Sequence, residues 1–65
     1  SLSDFIAKKE FANHPLNPLT EAEFNYVFKN RKFNGFGEAF VEINKRKFLV
    51  HKPTYGKCML KKRGF

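Results

Sequence analysis

Cysteine, tryptophan and acidic residues are all scarce in this sequence. Its single cysteine, Cys58, excludes an internal disulfide and is typical of a reducing compartment. Zinc takes about four ligands, whereas Cys58, His14 and His51 are too few and show no C-x-x-C spacing. No apolar run approaches the roughly 18 residues of a membrane span, and acids occupy the N-terminal stretch where a signal peptide is basic. We therefore expect a cytoplasmic protein with no membrane segment and no metal or other cofactor.

Groups for catalysis are scarce as well. His14 lies beside a proline turn and His51 at a predicted strand end, with no acid or nucleophile spaced around either. A catalytic site needs a nucleophile, a base and an orienting group, or a metal, and none of these sets can be assembled. We expect structural roles for both histidines, a buried apolar role for Cys58, no enzymatic activity and no small-molecule substrate.

Positive charge and phenylalanine are abundant instead. The chain of 65 residues predicts one domain, residues 1–65, and its nine Phe and two Tyr residues can supply a core without disulfides. Residues 1–23 contain two bases and four acids, whereas residues 24–65 contain eleven bases and two acids. Such an uneven distribution favours a surface that binds a polyanion.

Three helices are predicted. Ser3 as N-cap and Asp4 in the first turn favour a helix over Ser3–Phe11, which the prolines of residues 13–18 must end. The capping box of Thr20 and Glu23 begins a second helix, which is expected to end near Lys32. A third helix is expected over residues 52–62, with Tyr55 and Met59 one turn apart and Gly64 as its stop.

A β-hairpin is predicted over residues 39–50, with a type I′ turn at Asn44-Lys45. In this register Glu42 faces Lys47, which makes an opposite-charge pair. The opposite face would be entirely apolar, with Ala39, Val41, Ile43, Phe48 and Val50. The whole pattern predicts an α+β fold, a small winged helix-turn-helix of three helices plus a two-stranded β-hairpin wing.

The second helix and the basic hairpin turn form a pair of elements suited to DNA. A helix or a two-stranded ribbon fits the major groove of B-DNA, which is about 12 Å wide. Lysine and arginine would then contact phosphates, while asparagine and arginine would read base edges. The residues expected to contact double-stranded DNA are Asn25, Tyr26, Lys29, Arg31, Lys32, Lys45, Arg46 and Lys47.

Residues 34–50, NGFGEAFVEINKRKFLV, resemble the wing region of excisionase-like and MerR-like winged-helix proteins of phages and mobile elements. In that family an N-G-L motif precedes an apolar strand, a Gly-Arg-Arg tip, a second strand and a helix with an aromatic pair, whose positions Tyr55 and Met59 occupy here. Residues 2–11 and 19–28 would be the helix-turn-helix. Asn44 replaces the usual turn glycine, and Asn25 stands where many relatives have arginine. The resemblance implies DNA binding without catalysis, in an excisionase acting with a recombinase or in a small transcriptional regulator.

Two alternatives stay open at this point. Phe33, Phe36 and Phe40 lie between two groups of basic residues, at 29–32 and 45–47, and could stack on the bases of single-stranded DNA or RNA, although a core role is favoured in so short a chain. Alternatively, the chain is a protein-interaction module whose charge is directed at an acidic partner. With a small footprint on DNA, a duplex-binding monomer would need cooperative binding to repeated sites or dimerisation on DNA.

Overall fold

A three-stranded antiparallel sheet and three α-helices make up the fold. The computed structural model describes residues 1–61. The strands are β1 (Phe5–Ala7), β2 (Phe40–Asn44) and β3 (Lys47–His51), and the helices are α1 (Lys8–Phe11), α2 (Glu21–Lys29) and α3 (Lys52–Lys61). The strand order is β1-β3-β2, so β3 is central. The predicted α+β class is confirmed, but the sheet has three strands where the sequence predicted two.

A 3₁₀ turn and the extra strand replace the first part of the first predicted helix. Residues 2–4 form a 3₁₀ turn capped by Ser1, residues 5–7 are β1, and only Lys8–Phe11 is α-helical. In β1, Phe5 pairs with His51 and Ile6 with Val50, which is fully buried. Phenylalanine and isoleucine are favoured in half-buried strands. Pairing with β1 also gives hydrogen-bond partners to the backbone groups on the edge of β3 that β2 leaves open. The predicted α-helix over Ser3–Phe11 is therefore confirmed only at Lys8–Phe11, because this long-range pairing outweighs a weak local periodicity.

The second helix begins as the sequence predicts. The Thr20 hydroxyl accepts the Glu23 backbone N–H at 3.2 Å, while the Thr20 N–H donates to the Glu23 carboxylate at 2.9 Å. The capping box is therefore confirmed. The helix ends at Lys29, three residues before the predicted end near Lys32.

The early end of α2 has a local cause. Three carbonyl oxygens near the end of the helix accept hydrogen bonds from side chains, each at 2.9 Å. The Asn30 amide donates to the Tyr26 carbonyl, the Asn34 amide to the Val27 carbonyl and the Arg31 guanidinium to the Phe28 carbonyl. Free carbonyls at a helix end need partners, and these bonds supply them without another helical turn. The chain then turns at Gly35, whose φ of 82° lies in the left-handed region that glycine tolerates.

The predicted hairpin is confirmed, but its register is shifted by one residue. The turn is Lys45-Arg46, not Asn44-Lys45, and Ile43 is the extra residue of a β-bulge before Asn44 pairs with Lys47. No non-glycine residue within 1–61 has a positive φ, so a type I′ turn is absent there. The Asn44 side chain accepts the Arg46 backbone N–H at 2.8 Å, and this local bond favours the observed turn.

The register shift changes which side chains share a face. Glu42 lies opposite Phe48, so the predicted pair of Glu42 with Lys47 does not form. The predicted apolar face is divided as well, because Val50 is buried while Val41 and Ile43 are exposed. The cause is the bulge, which changes the alternation of side chains along β2.

Aromatic rings fill the core between the sheet and helices α2 and α3. The buried residues are Phe11, Ala12, Phe24, Val27, Phe36, Ala39, Phe40, Val50, Tyr55 and Cys58. Tyr55 lies at the centre, with ring centroids 4.9 Å from Phe11 and 5.6 Å from Phe36. The expected burial of Cys58 and the core roles of Phe36 and Phe40 are confirmed.

The third helix agrees closely with its prediction over residues 52–62. It begins at Lys52 and extends at least to Lys61, with Tyr55 buried and Met59 packed against the core. The predicted last helical residue, Lys62, and the predicted stop at Gly64 lie outside the described residues.

A buried polar contact ties the proline-rich connection to the core. The Tyr55 hydroxyl donates to the Asn17 side-chain oxygen at 3.1 Å, and the Asn17 amide donates to the Phe11 carbonyl at 3.0 Å. The Leu19 backbone N–H also donates to Asn17, at 3.1 Å. Burial raises the pKa of the Tyr55 hydroxyl to about 12, so this hydroxyl remains a donor even at alkaline pH.

Replacing Asn17 should therefore destabilise the domain more than trimming Tyr55. We predict a decrease in the free energy of unfolding of about 2 kcal/mol for Asn17→Ala, because buried donors are left without their acceptor, and of about 1 kcal/mol for Tyr55→Phe. Urea unfolding followed by circular dichroism measures both values. Equal decreases, or a larger one for Tyr55→Phe, would contradict the central role of Asn17.

Candidate nucleic-acid interface

Two cationic side chains lie over aromatic rings where α2 meets the sheet. The Lys8 Nζ is 4.3 Å from the centroid of the Phe28 ring, and the Arg31 guanidinium carbon is 4.1 Å from the same centroid. Arg31 also lies 5.0 Å from the ring of Phe48, which packs edge-on against Phe28 at 4.8 Å. We call these four residues the cation–aromatic cluster. It joins the start of α1, the end of α2 and strand β3.

Arg31 is held in place but keeps most of its hydrogen-bonding capacity. One Nη1 bond, to the Phe28 carbonyl, is 2.9 Å long, and the side chain is half-buried. A guanidinium has five N–H donors, and none of those on Arg31 reaches a carboxylate. The sequence placed Arg31 on the helix, whereas the structure places it on the turn just after α2.

A shallow groove of about 210 Å³ continues from this cluster towards the hairpin. Ala7 and Phe48 provide its apolar wall. The cationic side chains that line it are Lys8, Lys9, Arg46 and Lys47. We call it the basic groove. Lys8 and Lys9 come from residues 1–23, the segment with more acids than bases, and pairing of β1 with β3 brings them to the hairpin.

The hairpin presents the other predicted cations to solvent. Lys45 and Arg46 form the exposed turn, and Lys47 is exposed at the start of β3. The Asn44 side chain fixes the backbone of this turn through its bond to the Arg46 N–H. Arg46 and Lys47 therefore join the groove, and Lys45 lies beside them in the chain.

The predicted residues of α2 divide between two sides of the helix. At about 100° per residue, Asn25 lies roughly 60° from Phe28 and Lys29 roughly 100°, so both adjoin the side that faces β3. Tyr26 lies roughly 160° away, and it lines a separate groove of about 510 Å³ with Leu19, Ala22, Glu23 and Val27. Asn25 and Lys29 are exposed near the cation–aromatic cluster, whereas Tyr26 belongs to the other side.

Two exposed residues follow α2 on the turn that contains Arg31. Lys32 and Phe33 are both open to solvent, and Phe33 is 86% exposed. A core role for Phe33 was therefore wrong, in contrast to Phe36 and Phe40. Those two cannot stack on bases in the folded chain, because both are buried.

The lysine and arginine side chains within residues 1–61 have no anionic partners. The ion pair found there joins the Ser1 amino group to Asp4 at 3.4 Å, and no lysine or arginine side chain of that segment lies within 4.0 Å of a carboxylate. The charge of the basic groove is therefore available to an external polyanion.

The two histidines pack against aromatic rings. His14 stacks on Phe11 at 5.7 Å, and its Nδ1 accepts the Leu16 backbone N–H. His51 lies 4.8 Å from Phe5, and its Nδ1 is 2.7 Å from the Thr54 hydroxyl. Within the part of the chain that the structure describes, no three His, Cys, Asp or Glu side chains are grouped so as to hold a metal, and no helix is long and apolar enough to cross a membrane.

Sequence reasoning missed the two lysines at the start of α1. Lys8 and Lys9 are adjacent bases in an otherwise acidic stretch, and only the pairing of β1 with a distant strand gives them a place in the groove. The strand character of Phe5 and Ile6 was the one local signal for that pairing.

No family model, curated protein or solved structure was found to match the chain.

The cluster should contribute to stability as well as to charge. We predict that Arg31→Ala lowers the free energy of unfolding by about 1 to 2 kcal/mol, because it removes the packing of the guanidinium on two rings and a helix-end hydrogen bond. Lys45→Ala, at the exposed turn, should change it by less than about 0.5 kcal/mol and is the matched control. Chemical denaturation compares the two, and equal effects would place Arg31 outside the packed structure.

Proposed function

We propose that the chain binds double-stranded DNA as a winged helix-turn-helix domain. In this proposal α1 and α2 are the two helices, α2 enters the major groove, and the β2–β3 hairpin is the wing. The basic groove is the observation on which the proposal rests. It gathers four cations from α1 and the hairpin, next to the end of α2, and leaves them without carboxylate partners.

The architecture supports this arrangement in two ways. The edge-on packing of Phe28 on Phe48 holds the end of α2 against the strand that leads out of the turn. A helix and an adjacent two-stranded ribbon are both elements that fit the major groove.

The connection between α1 and α2 departs from the usual motif. It spans residues 12–20, whereas the usual turn has three to four residues, and Asn17 anchors it to the core.

The proposed roles of the side chains follow from their positions. Lysine and arginine of the basic groove contact phosphates, and this accounts for most of the affinity. Asn25 is the exposed amide on the side of α2 next to the cluster, which suits it to a base edge. Tyr26 lies on the side of α2 away from the cluster, so we do not propose that it contacts bases.

The biological role proposed is that of an excisionase or a small transcriptional regulator of a phage or mobile element, acting in the cytoplasm without catalysis. The partners are duplex DNA and, for an excisionase, a recombinase or further copies of the chain. The resemblance of residues 34–50 supports this part of the proposal.

Removing groove cations should weaken DNA binding and its dependence on salt. For Arg46→Ala/Lys47→Ala, we predict weaker binding and a plot of log K against log salt that is shallower by about two, one for each phosphate that the variant no longer neutralises. Lys57→Ala, an exposed change on α3 outside the groove, should leave the slope nearly unchanged. Fluorescence anisotropy across a salt series measures these slopes. A folded double variant with the wild-type slope would exclude the groove from the interface.

Competition separates duplex binding from the two alternatives. Unlabelled duplex should displace a labelled duplex better than single-stranded DNA or RNA of equal length. Better displacement by a single strand would support the single-strand alternative, and no binding to any nucleic acid would support an acidic protein partner.

A domain with only about six phosphate contacts should need a second copy for tight binding. We predict cooperative loading on a duplex that accommodates two copies. In sedimentation velocity at one protein per duplex, cooperative loading gives free duplex and the two-protein complex. A dominant one-protein complex would show independent loading and contradict this prediction.

A further inference from the structure

The most exposed aromatic side chain within residues 1–61 is that of Phe33. At 86% exposure it contrasts with Phe24 and Phe36, which are completely buried. Its exposure in the folded chain gives no stability through burial, because little of its apolar surface is removed from water. The position therefore has no evident role in holding the domain together.

The backbone under Phe33 is fixed by hydrogen bonds. Its N–H donates to the Asn30 carbonyl at 2.9 Å, and the Asn34 N–H donates to the same oxygen at 3.0 Å. The Asn34 side chain donates to the Val27 carbonyl at 2.9 Å and accepts the Phe36 N–H at 3.0 Å. These hydrogen bonds fix the backbone before and after Phe33, so the exposed ring projects from a turn of defined conformation.

The chain segment that leads to Phe33 is cationic. It contains Lys29, Arg31 and Lys32, none of which makes an ion pair, and the first acid after it is Glu38. An apolar pocket on a protein would accept the ring, but three such cations within four residues favour a polyanionic partner. In nucleic acids the polyanionic backbone lies next to stacked apolar base faces.

We propose that Phe33 is an insertion residue, which enters between base pairs of the duplex and bends it while Arg31 and Lys32 contact the flanking phosphates. This inference rests on the proposed duplex binding and adds a specific contact to it. Apolar wedges of this kind partly unstack a base step and kink the helix, and flexible pyrimidine–purine steps yield most easily. The protein should therefore prefer duplexes with such a step at the position of Phe33.

The test compares Phe33→Ala, Phe33→Leu and Leu60→Ala with the wild type. Leu60, 79% exposed on α3, is the control for removing an exposed apolar side chain. Anisotropy measures affinity, energy transfer between duplex ends measures the bend, and urea unfolding measures stability. Because Phe33 and Leu60 are exposed, all three variants should unfold like the wild type.

Phe33→Ala should bind duplex about tenfold more weakly and fail to bend it, with an unchanged salt slope because the phosphate contacts remain. Phe33→Leu should keep the bend and bind within about threefold of the wild type, because leucine also serves as a wedge. Leu60→Ala should match the wild type in both measurements.

Three results would overturn the inference. If Phe33→Ala binds and bends duplex as the wild type does, the ring is not inserted, while duplex binding itself stands. If Phe33→Leu is weakened as much as Phe33→Ala and single strands compete better than duplex, the ring stacks on unpaired bases. If the wild type binds no duplex at all, the proposed function fails together with the insertion, and a protein pocket becomes the partner for Phe33.

Discussion

The pairing of β1 with the central strand β3 is the constraint on which the rest of the structure depends. It places Ile6 opposite the fully buried Val50 and closes one edge of β3. Because α1 follows β1 directly, the same pairing carries Lys8 and Lys9 to the hairpin and Lys8 to the Phe28 ring. Without this strand, the basic groove would lack half of its cations and the hairpin would be a two-stranded ribbon, which is marginally stable by itself.

Aromatic side chains serve three different purposes in this chain. The rings around Tyr55 form the core and replace the disulfides or metals that so small a domain often requires. Phe28 and Phe48 are half-buried and receive the cations of Lys8 and Arg31 on their faces. Phe33 is left in solvent on a hydrogen-bonded turn.

The electrostatics of the fold explain why its charge remains available. Cations that lie close together repel one another, and in many proteins nearby carboxylates offset this repulsion. Here aromatic faces hold Lys8 and Arg31 instead, which fixes their positions without neutralising them. In the proposed function, the phosphates of DNA would supply the missing negative charge.

The sequence alone determined the α+β class, the capping box that begins α2, the hairpin and the third helix, because each depends on residues close together in the chain. The tertiary structure decided the third strand, the hairpin register and the composition of the basic groove. Phe5 and Ile6 are compatible with helix or strand, and only a partner more than forty residues away selects the strand. The bulge at Ile43 precedes the Asn44 turn bond, and a pattern of alternating residues does not reveal it. Within residues 1–61, which phenylalanines are buried and which is exposed likewise depends on how distant elements pack, since composition does not distinguish them.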